Sequence, residues 1–227
     1  MLSSHFELKG VSVLVPLSSP PPATPSAAAS PSRPRSLADD GMPLVGASSL
    51  FEGSWARRRV VATSKGPVVI RAATPLDTAS VDHFVRALSP TARFRRFHSE
   101  VTRLTDRQLA GLVDVDHHDR ETLLAVSGRV VVGMGQYLAQ THPKDSVDLA
   151  VVVADDWQRE GLGRELLIAT VEAASATGFR TATAYVQAEN RAMLSLLRGV
   201  PMPMVSTNEG SVVEVLLDLS MMGAGRA

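Results

Sequence analysis

The apolar run Leu149 to Val153 (LAVVV) ends in a polar turn, ADDWQREGLG, and the chain then enters a helical stripe, GRELLIATVEAA. A short β-branched run of this kind is a buried strand, and a strand that feeds a helix through so few residues belongs to a layered α/β arrangement. Two glycines, Gly161 and Gly163, stand at the join. The free N–H groups at a helix start point outward and carry the positive end of the helix dipole. Glycine there lets an anion approach the main chain, because no Cβ stands in the way. A phosphate or pyrophosphate is the natural guest.

The chain has 227 residues, 44% hydrophobic and 20% charged, enough for one ordinary domain with a tail or for two small ones. Its 23 basic residues balance 23 acidic ones, so no net field draws nucleic acid or an anionic membrane. Nor does the core show the aromatic platform or basic stripe of a nucleic-acid binder. The longest apolar stretch near the start, Val11 to Leu17, is interrupted by Pro16 and far too short to span a bilayer. Cysteine is absent, which removes disulfides, thiolate metal sites and a cysteine nucleophile, and suits a reducing, cytoplasmic setting.

Composition changes near residue 66. Leu17 to Asp40 is rich in Pro, Ser and Ala and nearly free of large hydrophobes, so it cannot recover its chain entropy by burial. Residues 1–65 are therefore expected to be a disordered tail; they lack the charged n-region, unbroken apolar core and cleavage site of a targeting peptide. Within the tail, WARRR (Trp55 to Arg59) reads as a solvated basic patch. Residues 66–222 are the expected domain and 223–227 a flexible end. GPVVIRAAT is a predicted strand stopped by Pro75, and Asp77 is the predicted cap of the helix DTASVDHFVRALS. ARFRRF falls in a second helix, and LTDRQLAGLV carries capping-box spacing at Thr105 and Gln108. Two apolar runs flank Ser127-Gly128-Arg129, a hairpin signal, and VDLAVVVADD supplies a third strand. After the glycine turn come a helix closed by Gly178, the strand RTATAYVQA, the short helix ENRAMLSLLRG and a hairpin turning at Asn208-Glu209-Gly210. The order is strand, helix pair, three strands, helix, strand, helix, two strands. It implies an α/β layer fold whose sheet is partly antiparallel.

Three phosphate-binding patterns compete for the glycine turn. A P-loop would need GxxxxGK[ST], and no Lys-Ser or Lys-Thr pair follows these glycines. A dinucleotide fingerprint would place its third glycine where Leu166 stands. The pattern Q/R-x-x-G-x-G/A is met by Gln158, Gly161 and Gly163, behind an apolar strand and an acidic turn. At these residues the sequence resembles the GNAT acyltransferase superfamily. The resemblance covers about residues 66–219, and the phrases LSPTARFRRF, LAGLVDVDHHDRETLLAV and VVVADDWQREGLG look most like the GNAT domain of Pat-type protein lysine acetyltransferases.

That resemblance implies a GNAT-type mixed, partly antiparallel central sheet flanked by helices. It also implies acetyl-CoA as co-substrate and transfer of an acetyl group to a primary amine, on a protein lysine or a small molecule, by direct attack in a ternary complex. Gln158, Arg159, Glu160, Gly161, Leu162, Gly163 and Arg164 match the pyrophosphate-binding turn, and the main chain of Val151, Val152 and Val153 matches the strand that pairs with pantetheine. The side chains of those valines read as ordinary core. A main-chain N–H on the same strand is implied to face the thioester oxygen and stabilise the oxyanion formed during attack. A lysine amine near neutral pH must lose a proton before it attacks, and Asp148 matches the family's glutamate base. It also reads as an ordinary polar residue at a strand entrance. Asn190 either contacts the pantetheine arm or caps its helix, and the two roles are compatible.

Two positions depart from the family. Glu160 stands where a basic residue is frequent, with Arg159 one place earlier, and Leu197 stands where many members have a tyrosine acid for the departing thiolate. With the shorter Asp148, these departures support a rival: a catalytically weak acyl-CoA-sensing or protein-interaction module on the same fold. DVDHHD (Asp114 to Asp119) lacks matching ligand spacing elsewhere, so no metal is expected. Gly-x-Ser-x-Gly is absent. The exposed final strands of such folds often pair, which allows a homodimer.

Overall fold

The computed structural model describes residues 58–222. Their centre is an eight-stranded sheet in the order β1-β2-β3-β4-β5-β6-β8-β7. The strands are β1 (Arg59–Thr63), β2 (Gly66–Ala72), β3 (Arg120–Ser127), β4 (Val130–Ala139), β5 (Ser146–Val153), β6 (Thr181–Gln187), β7 (Met204–Glu209) and β8 (Val212–Asp218). Helices α1 (Thr78–Ala87), α2 (Pro90–Phe97) and α3 (Asp106–Val113) precede β3; α4 (Leu162–Ala176) joins β5 to β6, and α5 (Arg191–Arg198) follows β6. Every strand pair is antiparallel except β5 with β6, where α4 makes the crossover that parallel neighbours require.

The sheet is covered on both faces. Val81, Phe84, Leu109 and Leu112 of α1 and α3 pack with Leu124, Met134 and Val152 on one side. Val171 and Ala174 of α4 and Leu197 of α5 pack with Val147, Leu149, Val186 and Leu217 on the other. Strand alternation divides the side chains accordingly: Val147, Leu149 and Val151 face α4, whereas Asp148, Ala150 and Val152 face α1 to α3.

The ordered sheet begins before Gly66. Arg59–Thr63 pairs with β2 from Arg59↔Ile70 to Thr63↔Gly66, so the domain starts inside the stretch expected to be tail. Ser64-Lys65 is a two-residue hairpin turn rather than a linker end, and Gly66 follows it at φ 110°. Arg59 is not a solvated member of a basic patch: its guanidinium donates to Glu172 Oε2 at 2.5 Å and to Glu165 Oε2 at 3.4 Å, clamping β1 to α4. The rest of the expected tail, including Trp55 to Arg57, and residues 223–227 lie outside the described residues.

Three helices, not a pair, precede the β3–β5 meander, because the Thr105–Gln108 capping box forms and starts α3 as a separate element. Asp77 also departs from its predicted role. It sits before α1 but makes no cap bond there. Its carboxylate accepts from Thr74 N–H at 2.9 Å and from Arg71 at 2.6 and 2.8 Å, and the guanidinium holds its pKa down at about 2. The hairpin at Gly128 forms as expected; the last hairpin forms too, but it turns at Gly210-Ser211, because Asn208 and Glu209 are still paired with β8.

Helix α4 lies unusually close to β4. A Cβ on Gly135 would stand 2.3 Å from Thr170 Oγ1 and 3.4 Å from Leu166 O, and one on Gly133 would stand 2.8 Å from Leu166 Cδ1. Thr170 cannot swing aside freely, since its hydroxyl donates to Leu166 O at 2.7 Å. Leu162, Leu166, Leu167 and Val171 are fully buried along this helix, each contributing about 1.5–3 kcal/mol through burial. Gly135→Ala should destabilise the domain by about 1–3 kcal/mol through overpacking, measured by chemical denaturation; an unchanged midpoint would contradict the close approach.

Candidate active site

β5 and β6 are hydrogen-bonded neighbours only from Ser146↔Thr181 to Asp148↔Thr183. Beyond that point both strands continue, β5 to Val153 and β6 to Gln187, without pairing. The strands separate, and a cavity of about 430 Å³ opens between them, within the range of small-molecule and cofactor sites. β4 pairs the other edge of β5 through Gly133↔Val153, Met134↔Val152 and Gly135↔Val151. Val152 and Val153 are more than nine-tenths buried, so what this stretch offers the cavity is its main chain.

At the far end of β5 the chain turns through Asp155–Trp157 into α4. Gly161 takes φ 78° and Arg159 φ 66°, and the space around a Gly161 Cβ is open. The peptides of Arg164 and Glu165 donate to Gly161 O, at 3.0 and 3.2 Å. Among the described residues no acceptor meets the amides of Gly161, Leu162 and Gly163, the orphan donors of a helix start. Gln158 Nε2 donates back to Val153 O at 3.3 Å, closing the turn onto its strand.

The acids of this turn are held by partners, although Asp155 still borders the cavity. Glu160 accepts from Ser64 N–H at 2.9 Å and Ser64 Oγ at 2.7 Å, and these bonds lower its pKa. Asp155 accepts from Ser89 N–H at 3.0 Å and Ser89 Oγ at 2.8 Å at the start of α2. Lys65 Nζ donates to the carbonyl of Asp156 and stands 5.3 Å from the Trp157 ring centroid. With its acids occupied, the turn presents Arg159, Arg164 and Gly161 to the cavity.

Asp148 stands where the two strands part. It is half-buried, accepts from Gln140 Nε2 at 2.7 Å, and has its pKa raised first by burial and further by Glu214. Tyr185 lies on the same sheet face, with its hydroxyl 3.2 Å from Glu214 Oε1; burial and that carboxylate push it up to about 12. Gln187 Nε2 and His98 Nδ1 are in hydrogen-bond contact at 3.1 Å; burial and the nearby Arg96 lower the His98 pKa.

A family model described as "Acetyltransferase (GNAT) family" matches residues 82–199. The chain belongs to the GNAT acetyltransferase family. An acetyltransferase of Pseudomonas aeruginosa is 31% identical over 133 residues, covering 57% of this chain and 71% of the relative. The GNAT domain of S. lividans PAT superposes with a TM-score of 0.67 at 23% identity, over 74% of this chain and 99% of that one. An acetyltransferase from Salmonella typhimurium, solved with its cofactor acetyl-CoA, has a TM-score of 0.57 at 20% identity, over 67% of this chain and 94% of that one. At those identities the two structures bear on the fold alone.

In this GNAT domain, Asp148, Val151 to Val153, Gln158, Arg159, Gly161, Gly163, Arg164 and Asn190 all border one cavity. Glu160 and Leu162 do not: Glu160 is tied to Ser64, and Leu162 is fully buried against the sheet. Asn190 Oδ1 accepts from Met193 N–H at 3.3 Å, so its cap exists alongside its place in the wall. Leu197 packs in the core behind the cavity. In DVDHHD, His117 Nδ1 turns to buried Glu121 at 3.0 Å and His118 Nδ1 to Asp119 at 2.9 Å. Sequence reading missed Arg96, His98, Tyr185 and Gln187. The available signal was Arg96 itself, a charge on the buried side of α2 beside Ala92 and Phe97.

Burial makes the folded chain keep the Asp148 proton into a pH range where the unfolded chain has released it. Stability therefore falls as pH climbs through that interval, and the penalty is complete above it. Asp148→Asn should raise Tm near neutral pH and change nothing below the ordinary carboxylate range. Thermal melts across pH test this, and a lower Tm than wild type at pH 7 would contradict it.

Proposed function

We propose that this acetyltransferase moves an acetyl group from acetyl-CoA directly to a primary amine, with both substrates bound at once. The observation that carries the reading is the parting of β5 and β6 at Asp148, which opens a main-chain edge between a free helix start and a half-buried carboxylate. The residues fit the cofactor. Arg159, Arg164 and the amides from Gly161 to Gly163 would hold the pyrophosphate. The unpaired edge of Val151 to Val153 would hydrogen-bond the pantetheine arm, with Asn190 at its side, and an amide of that edge would stabilise charge on the acyl oxygen. Acetyl-CoA supplies an activated thioester.

Asp148 is the proton acceptor. Its raised pKa brings it nearer the range in which a base works at neutral pH. Gln140 orients the carboxylate. The amine nitrogen bonds to the acyl carbon as the C–S bond breaks, sulfur departs as the thiolate, and the amine proton passes to Asp148 directly or through one water. No side chain need protonate the departing thiolate, which is a good leaving group, so buried Leu197 is compatible with turnover. Glu160, a motive for the weak-module reading, is held by Ser64 clear of the phosphate position. The cysteine-free composition suits work in the cytoplasm.

Calorimetry with the full chain tests the cofactor site. Wild type and Gly163→Ala should bind acetyl-CoA, because a Cβ at position 163 meets only ordinary contacts at 3.5 Å or more. Gly161→Trp should fold and lose binding; retained affinity would remove the assignment. Asp148→Asn should keep acetyl-CoA affinity while kcat falls about a hundredfold or more, measured by thiol release; unchanged kcat would remove the base.

A further inference from the structure

Beneath α2 the cavity holds a cation without a counter-ion. Arg96 is 5% exposed. Its Nη2 donates to Gln136 Oε1 at 2.5 Å, its guanidinium carbon stands 4.9 Å from the Phe97 ring centroid, its Nε is buried without a hydrogen-bond partner, and among the described residues no carboxylate pairs with it. Burial lowers its pKa to about 10, which leaves it charged at neutral pH. An unpaired buried charge is costly. Gln187 Oε1, in the same wall, is likewise buried without a partner. Orphaned polar atoms gathered around one cavity mark a place for a polar guest.

The coenzyme phosphates are not that guest. Their proposed place is the start of α4, and Arg96 lies on the opposite face of the sheet, with α1 to α3. That face carries opposite charge at its two ends. Asp148, Glu214 and the hydroxyl of Tyr185 stand at one, and Arg96 stands at the other. The register sets the spacing of the residues that hold them: Gln136, which holds the guanidinium, lies on the neighbouring strand opposite Ala150, two residues beyond Asp148. Two residues along and one strand across are roughly 8 Å. An α- or β-amino acid with one hydrogen bond of about 2.8 Å at each end spans that gap.

We propose that the cavity selects small amines that also bear a carboxylate, an amino acid or a close analogue, with Arg96 holding the carboxylate while the amine faces Asp148. This rests on the acetyl-transfer reading above and adds the acceptor class. A lysine side chain in a protein brings no anion to within that distance of its amine and leaves Arg96 unpaired.

The test is thiol release from acetyl-CoA by the full chain, with the common amino acids, their carboxamides and a lysine-containing peptide as acceptors. Support is a kcat/KM for the best amino acid at least about tenfold above that of its carboxamide. In Arg96→Gln that ratio should collapse toward one. The wild-type comparison decides even if the variant fails to fold. Equal rates on acid and carboxamide, or preference for the peptide, would overturn the acceptor class and leave acetyl transfer standing. Calorimetric binding of acetyl-CoA without transfer to any amino acid would overturn it too, while keeping the cofactor site. Absence of acetyl-CoA binding would sink both proposals.

Discussion

The parting of β5 and β6 after Asp148↔Thr183 is the constraint on which the remaining architecture depends. Adjacent strands normally satisfy one another's peptide groups, and an unpaired edge inside a domain is costly unless something else reaches it. Here the two strands are parallel neighbours joined by a helical crossover, so they can diverge toward their C-terminal ends without breaking a tight turn. The opening faces the start of α4 at one side and the polar sheet face under α2 at the other. Both candidate substrate sites are consequences of that one lost ladder.

Around the opening, rigidity comes from contacts far apart in sequence. Asp155 fixes the start of α2 through Ser89, and Glu160 fixes the β1–β2 turn through Ser64. Arg59 fastens β1 to α4 through Glu165 and Glu172. Singly, such partly exposed pairs contribute little stability. The first two tie down the Asp155 and Glu160 carboxylates, while Arg159 and Arg164 border the cavity.

Much of this could be read along the chain. The glycine turn at Gly161 and Gly163, the hairpin at Gly128, the capping box at Thr105 and the order of elements from β3 to β8 are each local signals, set by backbone sterics and by apolar period over a few residues. β1 escaped because RVVAT is short and follows an arginine run, and its worth as a strand lies in pairing with β2. Asp77 escaped because a cap and an ion pair ask for the same residue type, and Arg71 decided between them.

The sequence by itself determined that a buried strand runs into a helix through a turn open to an anion, since glycine's missing Cβ and a helix's free amides are properties of residues and backbone. Only the tertiary structure decided that Glu160 faces Ser64, that Leu197 is core, and that Asp148 shares a sheet face with Gln136, which holds Arg96 from the neighbouring strand. Side-chain direction and charge pairing depend on partners brought together by sheet register and helix packing, and these are absent from any single stretch of chain.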